Sequence, residues 1–163
     1  MARADGATMN SRLICLGHKM PAFVEQGVSE YLKRLPKEYA LDVVEIKPAA
    51  ATAGGVEKRL AEEAAKIRLA IPKGSALVVL DERGKDLTSK AFAQALAAWR
   101  ADGRRPCFVI GSADGLSAEI KAEADALIRL SSLTLPHALA RLVLAEQIYR
   151  AVTLLQNHPY HRE

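Results

Sequence analysis

The sequence has little cysteine, few aromatic residues and no long apolar stretch, and each shortage excludes a class of protein. Of its 163 residues two are cysteines and 5% are aromatic. One pair of cysteines cannot form a disulfide framework, and the chain has no Cys-x-x-Cys spacing for a zinc site. Cys15 and Cys107 lie in apolar runs typical of buried free thiols. No run approaches the ~20 apolar residues of a membrane span, and the N-terminus resembles no signal peptide. We therefore expect a cytoplasmic protein.

Several catalytic motifs are also absent. The chain has no Gly-x-Gly-x-x-Gly, no Gly-Lys-Ser/Thr and no Gly-x-Ser-x-Gly, so dinucleotide binding, kinase-type phosphate binding and serine hydrolysis lack their residues. What is present is the balance of a globular protein, with 50% hydrophobic and 26% charged residues. The net charge of +4 allows an anionic partner without requiring one, because the two signs are interspersed.

Short apolar runs alternate with longer helical patterns along the chain. We expect strands at Leu13–Gly17, Leu41–Ile46, Ala76–Leu80, Pro106–Ile110 and Ala126–Leu130. We expect helices from Pro21 onward, at Val56–Ala70, at Lys90–Ala101, after a Ser117 cap, and at His137–Leu155. Strands separated by helices predict one α/β domain with a parallel sheet flanked by helices.

Ligands bind such sheets outside the carboxyl ends of the strands, and three segments lie there. Leu80–Gly84 follows the third strand, Gly111–Gly115 the fourth and Ser131–Pro136 the fifth. The Gly111–Gly115 segment has two equally supported interpretations. It is either a ligand loop whose backbone N–H groups face the ligand, or an ordinary turn between strand and helix that needs a positive φ at glycine. The Ser131–Pro136 segment mixes hydroxyl and aliphatic residues, which suits a flat purine base better than a phosphate.

Two further regions have both a functional and a structural interpretation. His137 begins the longest helix, where the helix dipole disfavours a protonated imidazole, so it is a candidate base or a structural residue. The apolar surface of the same helix indicates either a subunit interface or packing within the core. The C-terminal tail holds His158, Tyr160, His161 and Arg162 close together. It lacks further ligands for a metal site, and stacking by Tyr160 with phosphate contact by Arg162 fits these residue types better.

Several separated motifs agree in order and spacing with one family. They are Gly17–Met20, Tyr31–Arg34, Val79–Asp81, Phe108–Gly111 with Asp114–Ser117, Leu130–His137, Ile148–Ala151 and Asn157–Glu163. Together they closely resemble the RlmH family, the bacterial SPOUT-class methyltransferases of large-subunit ribosomal RNA. The resemblance extends from Met9 through Glu163, which we expect to form a single domain. Residues 1–8 match nothing in the family and form an extension without an assigned role.

The resemblance implies S-adenosylmethionine-dependent methylation of N3 of a pseudouridine in 23S rRNA, on the assembled ribosome. It also implies a homodimer in which the tail of one subunit completes the active site of the other, and a SPOUT-type fold with a C-terminal trefoil knot. The cofactor site carries over to Leu80, Gly111, Leu130, Ser131, Ser132, Leu133, Thr134 and Leu135. Relatives often have a second glycine at the position of Ser112, which leaves a cofactor contact by Ser112 itself without support.

The chemistry of the implied reaction suggests roles for the remaining residues. The pseudouridine N3 must lose its proton before it can attack a methyl group, so His137 and His161 are candidate bases. Arg150, Arg162, Tyr160 and Arg141 are candidates for holding phosphate and base. The alternatives are a non-catalytic ribosome- or RNA-binding protein on the same fold, or a SPOUT methyltransferase with a different RNA target.

Overall fold

The computed structural model describes residues 10–17, 19–50 and 54–161. Within these residues the chain forms five strands, five α-helices and two short 3-10 turns. The strands are β1 (Ser11–Leu16), β2 (Leu41–Ile46), β3 (Ala76–Asp86), β4 (Pro106–Ile110) and β5 (Ala126–Arg129). The helices are α1 (Ala22–Leu32), α2 (Gly55–Ala70), α3 (Ser89–Ala101), α4 (Ala118–Glu123) and α5 (His137–Leu155). The 3-10 turns are Lys37–Tyr39 and Pro159–His161.

The strands form one parallel sheet in the order β2-β1-β4-β3-β5. Each connection between consecutive strands contains a helix, as parallel pairing requires. The predicted α/β class, the parallel sheet and the flanking helices are confirmed. The trefoil knot and the single domain from residue 9 to residue 163 stay predictions, and residues 1–8 lie outside the described residues.

The central strands β1, β3 and β4 each contain a continuous apolar run, in keeping with a sheet that is covered on both faces. Successive side chains point to opposite faces: Leu13 and Cys15 belong to one core cluster, whereas Ile14 and Leu16 belong to the other. Helices α1, α3 and α5 cover the first face, and α2 and α4 cover the second. A continuous hydrophobic run is the pattern expected of strands that are buried on both sides.

Helix α5 lies between α1 and α3 on the first face of the sheet. Seven of its residues are buried, among them Leu144, Ile148 and Val152. Contacts within one protomer therefore account for much of the apolar surface that the sequence shows. This packing supports the core interpretation of the apolar surface, which requires no second subunit.

Helix ends follow the predicted capping residues closely. The Thr88 hydroxyl accepts a hydrogen bond from the Ala91 N–H at 3.0 Å and caps α3. The Ser117 hydroxyl accepts one from the Ile120 N–H at 3.2 Å and caps α4. Both caps satisfy backbone donors that the first helical turn leaves free.

Strand β3 is longer than its apolar run predicts. The sequence predicts a polar turn from Asp81, but pairing with β5 resumes at Lys85 and Asp86 after a register shift. Gly84 allows this course because the chain crosses directly over β5. A Cβ atom at Gly84 would lie 2.5 Å from the carbonyl carbon of Ile128.

Both cysteines are free and buried, as predicted. Burial raises the pKa of Cys15 to about 12 and that of Cys107 to about 11, so both thiols stay protonated near neutral pH. In the described part of the chain, no helix combines the length and the apolar character needed to cross a membrane.

Candidate active site

Three segments meet at the carboxyl edge of the sheet. Leu80 pairs in register with Ile110 on one side and with Ile128 on the other. The segments that follow these residues therefore lie at the same edge of the sheet, where the regular pairing of β3 is also interrupted. They are Asp81–Gly84 after Leu80, the β4 turn (Gly111–Gly115) and the β5 loop (Leu130–Leu135). The structure thus brings together the predicted cofactor residues Leu80, Gly111 and the β5 loop.

The β4 turn is closed tightly on itself. The Gly115 N–H donates to the Ser112 carbonyl at 2.8 Å, and Gly115 has φ +82°, in the left-handed region that favours glycine. A Cβ atom at Gly111 would lie 2.7 Å from both the Gly115 carbonyl oxygen and the Leu116 side chain. Both glycines are therefore required by the turn itself. This geometry supports the turn interpretation and is also compatible with a ligand loop.

Two side chains of α2 hold the β4 turn from behind. The Ser112 hydroxyl donates to the Glu63 carboxylate at 3.1 Å, and Arg59 forms an ion pair with Asp114 at 2.9 Å. Neither Glu63 nor Arg59 was predicted from the sequence. A signal was present for Glu63, because it shares one helical face with the apolar residues Leu60, Ala64 and Ile67.

Asp81 is anchored immediately after Leu80. Its carboxylate accepts a hydrogen bond from the Arg83 N–H at 2.8 Å and pairs with Lys121 at 2.8 Å. Burial by itself raises the pKa of Asp81, but the Lys121 and Arg83 hydrogen bonds outweigh that effect and lower it. Asp81 is thus ionised at neutral pH and ties the end of the β3 apolar run to α4.

The β5 loop is open to solvent along most of its length. Ser132, Leu133 and Thr134 are exposed, and Leu133 retains 75% of its accessible surface. The Ser131 hydroxyl accepts a hydrogen bond from the Leu133 N–H at 2.9 Å, which forms a local turn. An exposed leucine between hydroxyl residues is an arrangement that suits a partly apolar ligand.

His137 lies at the first position of α5, directly after this loop, and is exposed. The N-cap position is Pro136, which makes no side-chain capping hydrogen bond. His137 therefore stands next to the β5 loop, as predicted from the sequence.

A second cluster lies towards the other end of α5. Glu146 pairs with Arg150 at 3.0 Å and accepts a hydrogen bond from the Tyr160 hydroxyl at 2.9 Å. The Tyr160 ring packs edge-on against Tyr149, with centroids 4.7 Å apart, and Arg150 lies over the Tyr160 ring. Burial and the Glu146 carboxylate raise the pKa of Tyr160 above its ordinary value, so the phenol is a hydrogen-bond donor at neutral pH.

Within one protomer this second cluster does not meet the β5 loop. Glu146 is two and a half helical turns from His137, or about 13 Å along the helix axis at 1.5 Å per residue. Tyr160 is held at Glu146, so the phenol lies far from the imidazole along that axis. His161 ends the Pro159–His161 turn, and Arg162 lies outside the described residues.

Arg141 is separate from both groups. Only 6% of its surface is exposed, and its Nη1 pairs with Glu45 at 2.7 Å. Its Nη2 is buried without a hydrogen-bond partner. Among the described residues, no group of three or more His, Cys, Asp or Glu side chains could hold a metal ion.

A family model described as "Predicted SPOUT methyltransferase" matches residues 9–161. The chain belongs to the SPOUT methyltransferase family. It is 52% identical over 151 residues to the "Ribosomal RNA large subunit methyltransferase H" of Burkholderia ambifaria (strain MC40-6), an alignment covering 92% of this chain and 97% of that protein. The protein of the same name from Burkholderia vietnamiensis (strain G4 / LMG 22486) is 51% identical over 155 residues, or 94% of this chain and 99% of the relative.

Solved structures agree with SPOUT membership at the level of the fold. A probable methylase family protein from Haemophilus influenzae Rd KW20 superposes with a TM-score of 0.54 at 13% identity, covering 97% of this chain and 72% of that one. A putative methylase family protein from Neisseria gonorrhoeae gives 0.53 at 17% identity, covering 91% and 85%. The three segments lie at the carboxyl edge of the sheet, the edge where parallel α/β sheets bind their ligands.

Proposed function

We propose that this SPOUT methyltransferase transfers a methyl group from S-adenosylmethionine to N3 of a pseudouridine in 23S rRNA, on the assembled ribosome. The observation that carries the proposal is the meeting of Leu80, the β4 turn and the β5 loop at one edge of the sheet. Support for the RNA target comes from the relatives, which are named as large-subunit rRNA methyltransferases and match over nearly their whole length.

The residues at this edge fit S-adenosylmethionine. The β5 loop offers exposed hydroxyl groups at Ser132 and Thr134 and an exposed apolar side chain at Leu133, which together suit an adenosine. At Gly115 no atom lies within 4 Å of the place where a Cβ would stand, so the turn leaves space beside it. Leu80, Gly111 and the loop from Leu130 to Leu135, including Ser131, would hold the cofactor, which supplies an electrophilic methyl group when bound. The contribution of the protein is to orient donor and acceptor.

The attacking N3 must lose a proton, and exposed His137 is our candidate base. A neutral imidazole can accept that proton or pass it to water, and His137 follows the β5 loop directly. His161 is the second candidate because it belongs to the tail with Tyr160. The N3 atom lies on the Watson–Crick edge, so the base must be unpaired to reach either imidazole.

We assign substrate contacts to the second cluster, in the C-terminal half of α5. Tyr160 offers a ring for stacking, while Arg150 and Arg162 offer guanidinium groups for phosphate oxygens. Arg150 also forms an ion pair with Glu146, and this pair orients the Arg150 side chain. Arg141 is the member of this set that the geometry favours least, because it is buried and paired with Glu45.

The separation of the two groups along α5 supports a homodimer as the active unit. In one protomer the cofactor segments and His137 lie at one end of α5, and Arg150 with Tyr160 lies towards the other. A symmetric dimer can bring the cofactor end of one subunit to the tail of its partner. A site shared in this way also enlarges a small protein's surface for ribosomal RNA.

Mixing two inactive variants tests the shared site. We expect His137→Ala and Arg150→Ala each to lose most activity. After joint unfolding and refolding, about half of the dimers are mixed, and each has one intact site, so activity returns to about a quarter of the wild-type rate. Sites built within single subunits would give no return, and that result would refute the shared site. Refolded single variants are the controls.

The activity itself is tested with ribosomes that carry or lack pseudouridine. We expect methylation of the pseudouridylated ribosomes alone, with the methyl group mapped to N3 by mass spectrometry. Calorimetric titration with S-adenosylmethionine should show binding to the free protein. Binding with methylation of another RNA would indicate a different target, and absence of cofactor binding would indicate a non-catalytic ribosome-binding protein.

An enzyme that acts on assembled ribosomes works in the cytoplasm, which is where we place this protein. We also propose that residues 9–163 form a single methyltransferase domain and that residues 1–8 have no part in catalysis. A variant that starts at Met9 should keep the wild-type rate on ribosomes. A loss of activity in that variant would assign a role to the extension.

A further inference from the structure

Glu63 is a buried acidic residue outside the group of residues assigned to the reaction so far. It lies in the middle of α2, with 4% of its surface exposed. Removing a carboxylate from water is costly unless hydrogen bonds replace the lost hydration. Among the described residues, no ion pair involves Glu63. Its burial therefore depends on the hydrogen bonds that its two oxygens accept.

Each Glu63 oxygen has one donor, and the donors come from different parts of the chain. Oε1 accepts from the Ser112 hydroxyl at 3.1 Å, and Oε2 accepts from the Ala49 N–H at 2.9 Å. Ser112 is itself only 8% exposed. One side chain thus joins α2, the segment after β2 and the β4 turn.

A second contact ties the same helix to the same turn. Arg59 lies one helical turn before Glu63 and pairs with Asp114 at 2.9 Å. The two contacts hold residues 112 and 114, which lie on either side of the tip of the turn. Residue 112 follows Gly111 directly, so its position fixes the peptide group that Gly111 shares with it.

We propose that Glu63 is a positioning residue for the cofactor site and that Ser112 is the group through which it acts. The Ser112 side chain points to α2, so its function is to hold the β4 turn in its binding geometry before the cofactor arrives. A turn fixed in advance loses less conformational freedom on binding, which increases affinity. Glycine at this position, which the resemblance led us to expect, has no hydroxyl and cannot make the contact. The inference rests on the proposed function, in which Gly111 contacts S-adenosylmethionine.

The first test measures the turn without any cofactor. Amide hydrogen exchange of the free protein should be at least about fivefold faster over residues 111–115 in Glu63→Gln and in Ser112→Ala than in wild type. The matched control is Glu62→Gln, which removes the same charge from the exposed neighbouring residue. Unchanged exchange in the turn of the folded Ser112→Ala variant would overturn the proposal. Ser112→Ala is also the variant to rely on if Glu63→Gln does not fold.

The second test measures cofactor binding. Glutamine keeps one acceptor oxygen but presents an NH₂ group to one of the two donors, so we expect Glu63→Gln to raise the Kd for S-adenosylmethionine about tenfold. In kinetics, KM for the cofactor should rise while kcat at saturating cofactor stays within about twofold, since binding is weakened uniformly. Ser112→Ala should raise the Kd about fivefold, and adding it to Glu63→Gln should cause little further loss. Ser112→Thr, which keeps the hydroxyl, should restore affinity.

Failure of this inference can be told apart from failure of the proposed function. If wild-type protein binds no S-adenosylmethionine in calorimetry, the proposed function fails, whatever the exchange data show. If wild type binds and Glu63→Gln binds equally well, with the same KM, then Glu63 is structural and the positioning role is refuted. A drop in kcat alone would also refute it.

Discussion

Two segments of the candidate site, the β4 turn and the β5 loop, are held in opposite ways. The β4 turn is fixed by its own glycines and by two side chains of α2. The β5 loop has one hydrogen bond between its own residues, from the Leu133 N–H to Ser131, and exposes three consecutive residues. One segment is therefore rigid before binding, whereas the other can adapt to the ligand.

This difference predicts how each segment contributes to affinity. Substitutions in the β4 turn should act through geometry, since they disturb a fixed backbone. Substitutions in the β5 loop should act through lost contacts, since exposed residues contribute little to folding. Substitutions in the β4 turn should therefore change both the free energy of unfolding and the cofactor Kd. Substitutions in the β5 loop should change the cofactor Kd and leave the free energy of unfolding nearly unaltered.

The largest effect is expected at Gly84, where the chain crosses β5 and fixes the start of the β5 loop. In Gly84→Ala the new Cβ meets backbone atoms of Ile128 at 2.5 Å and 2.7 Å. Backbone cannot move aside as a side chain can, so we expect a loss of about 3 kcal/mol in the free energy of unfolding. Denaturant titration measures it.

Gly27→Ala is the matched control for that substitution. Its Cβ would lie 2.6 Å from Leu142 Cδ1, which is the end of a flexible side chain, and alanine also favours the helix by about 1 kcal/mol. We expect a change below about 1 kcal/mol. An equal loss in both variants would show that the crossing over β5 is no tighter than a helix contact.

Gly111→Ala tests the rigid segment directly. The added methyl group would lie 2.7 Å from the Gly115 carbonyl oxygen, so the turn must open. Overpacking of this kind costs about 1–3 kcal/mol, and we expect the cofactor Kd to rise at least about tenfold along with the loss of stability. Calorimetry and denaturant titration report the two quantities. A stable variant with wild-type affinity would mean that the turn is not part of the cofactor site.

Leu133→Ala tests the adaptable segment. Leu133 is 75% exposed, so unfolding should change by no more than about 0.5 kcal/mol. Burial of a leucine against a ligand is worth about 1.5–3 kcal/mol, and the cofactor Kd should rise about tenfold. Leu69→Ala, at a leucine of α2 that is 90% exposed, should change neither quantity. Equal affinity for wild type and Leu133→Ala would exclude Leu133 from the site.

Ser131→Ala should have the smallest effect. It removes the acceptor for the Leu133 N–H, and we expect this exposed hydrogen bond to contribute about 0.5 kcal/mol, the lower end of the usual range. We expect about a twofold rise in the cofactor Kd, measured by calorimetry. Ser131→Thr keeps the hydroxyl and should bind like wild type. A tenfold loss in Ser131→Ala would indicate that the loop is as rigid as the β4 turn.

The sheet and the position of the site were predictable because they follow from strong local patterns. Continuous apolar runs such as Ala76–Leu80 predict strands covered on both faces, and parallel strands must end at a common edge. The order of the strands in the sheet was not predictable, and neither was the renewed pairing of β3 with β5 at Lys85. Both depend on pairing between distant segments, and Asp81–Lys85 has the polar composition of a turn.

The support behind the site was harder to see in the sequence. Glu62 and Glu63 are adjacent and chemically identical, yet one is exposed and the other is buried against Ser112. Only the rotation of α2 distinguishes them, and the apolar residues at Ala64 and Ile67 give that rotation. Tyr160 was identified as a functional candidate by its residue type, but its contact with Glu146 depends on the tail folding back along α5.

The strand order also has a consequence for how the protein is made. β1 pairs with β2 on one side and with β4 on the other, so one edge of β1, which carries the apolar run Leu13–Leu16, is unpaired until Pro106–Ile110 has been synthesised. An open hydrophobic edge is prone to intermolecular pairing. We therefore expect nascent chains that stop before Pro106 to aggregate, and yield in the cell to depend on the speed with which translation reaches β4.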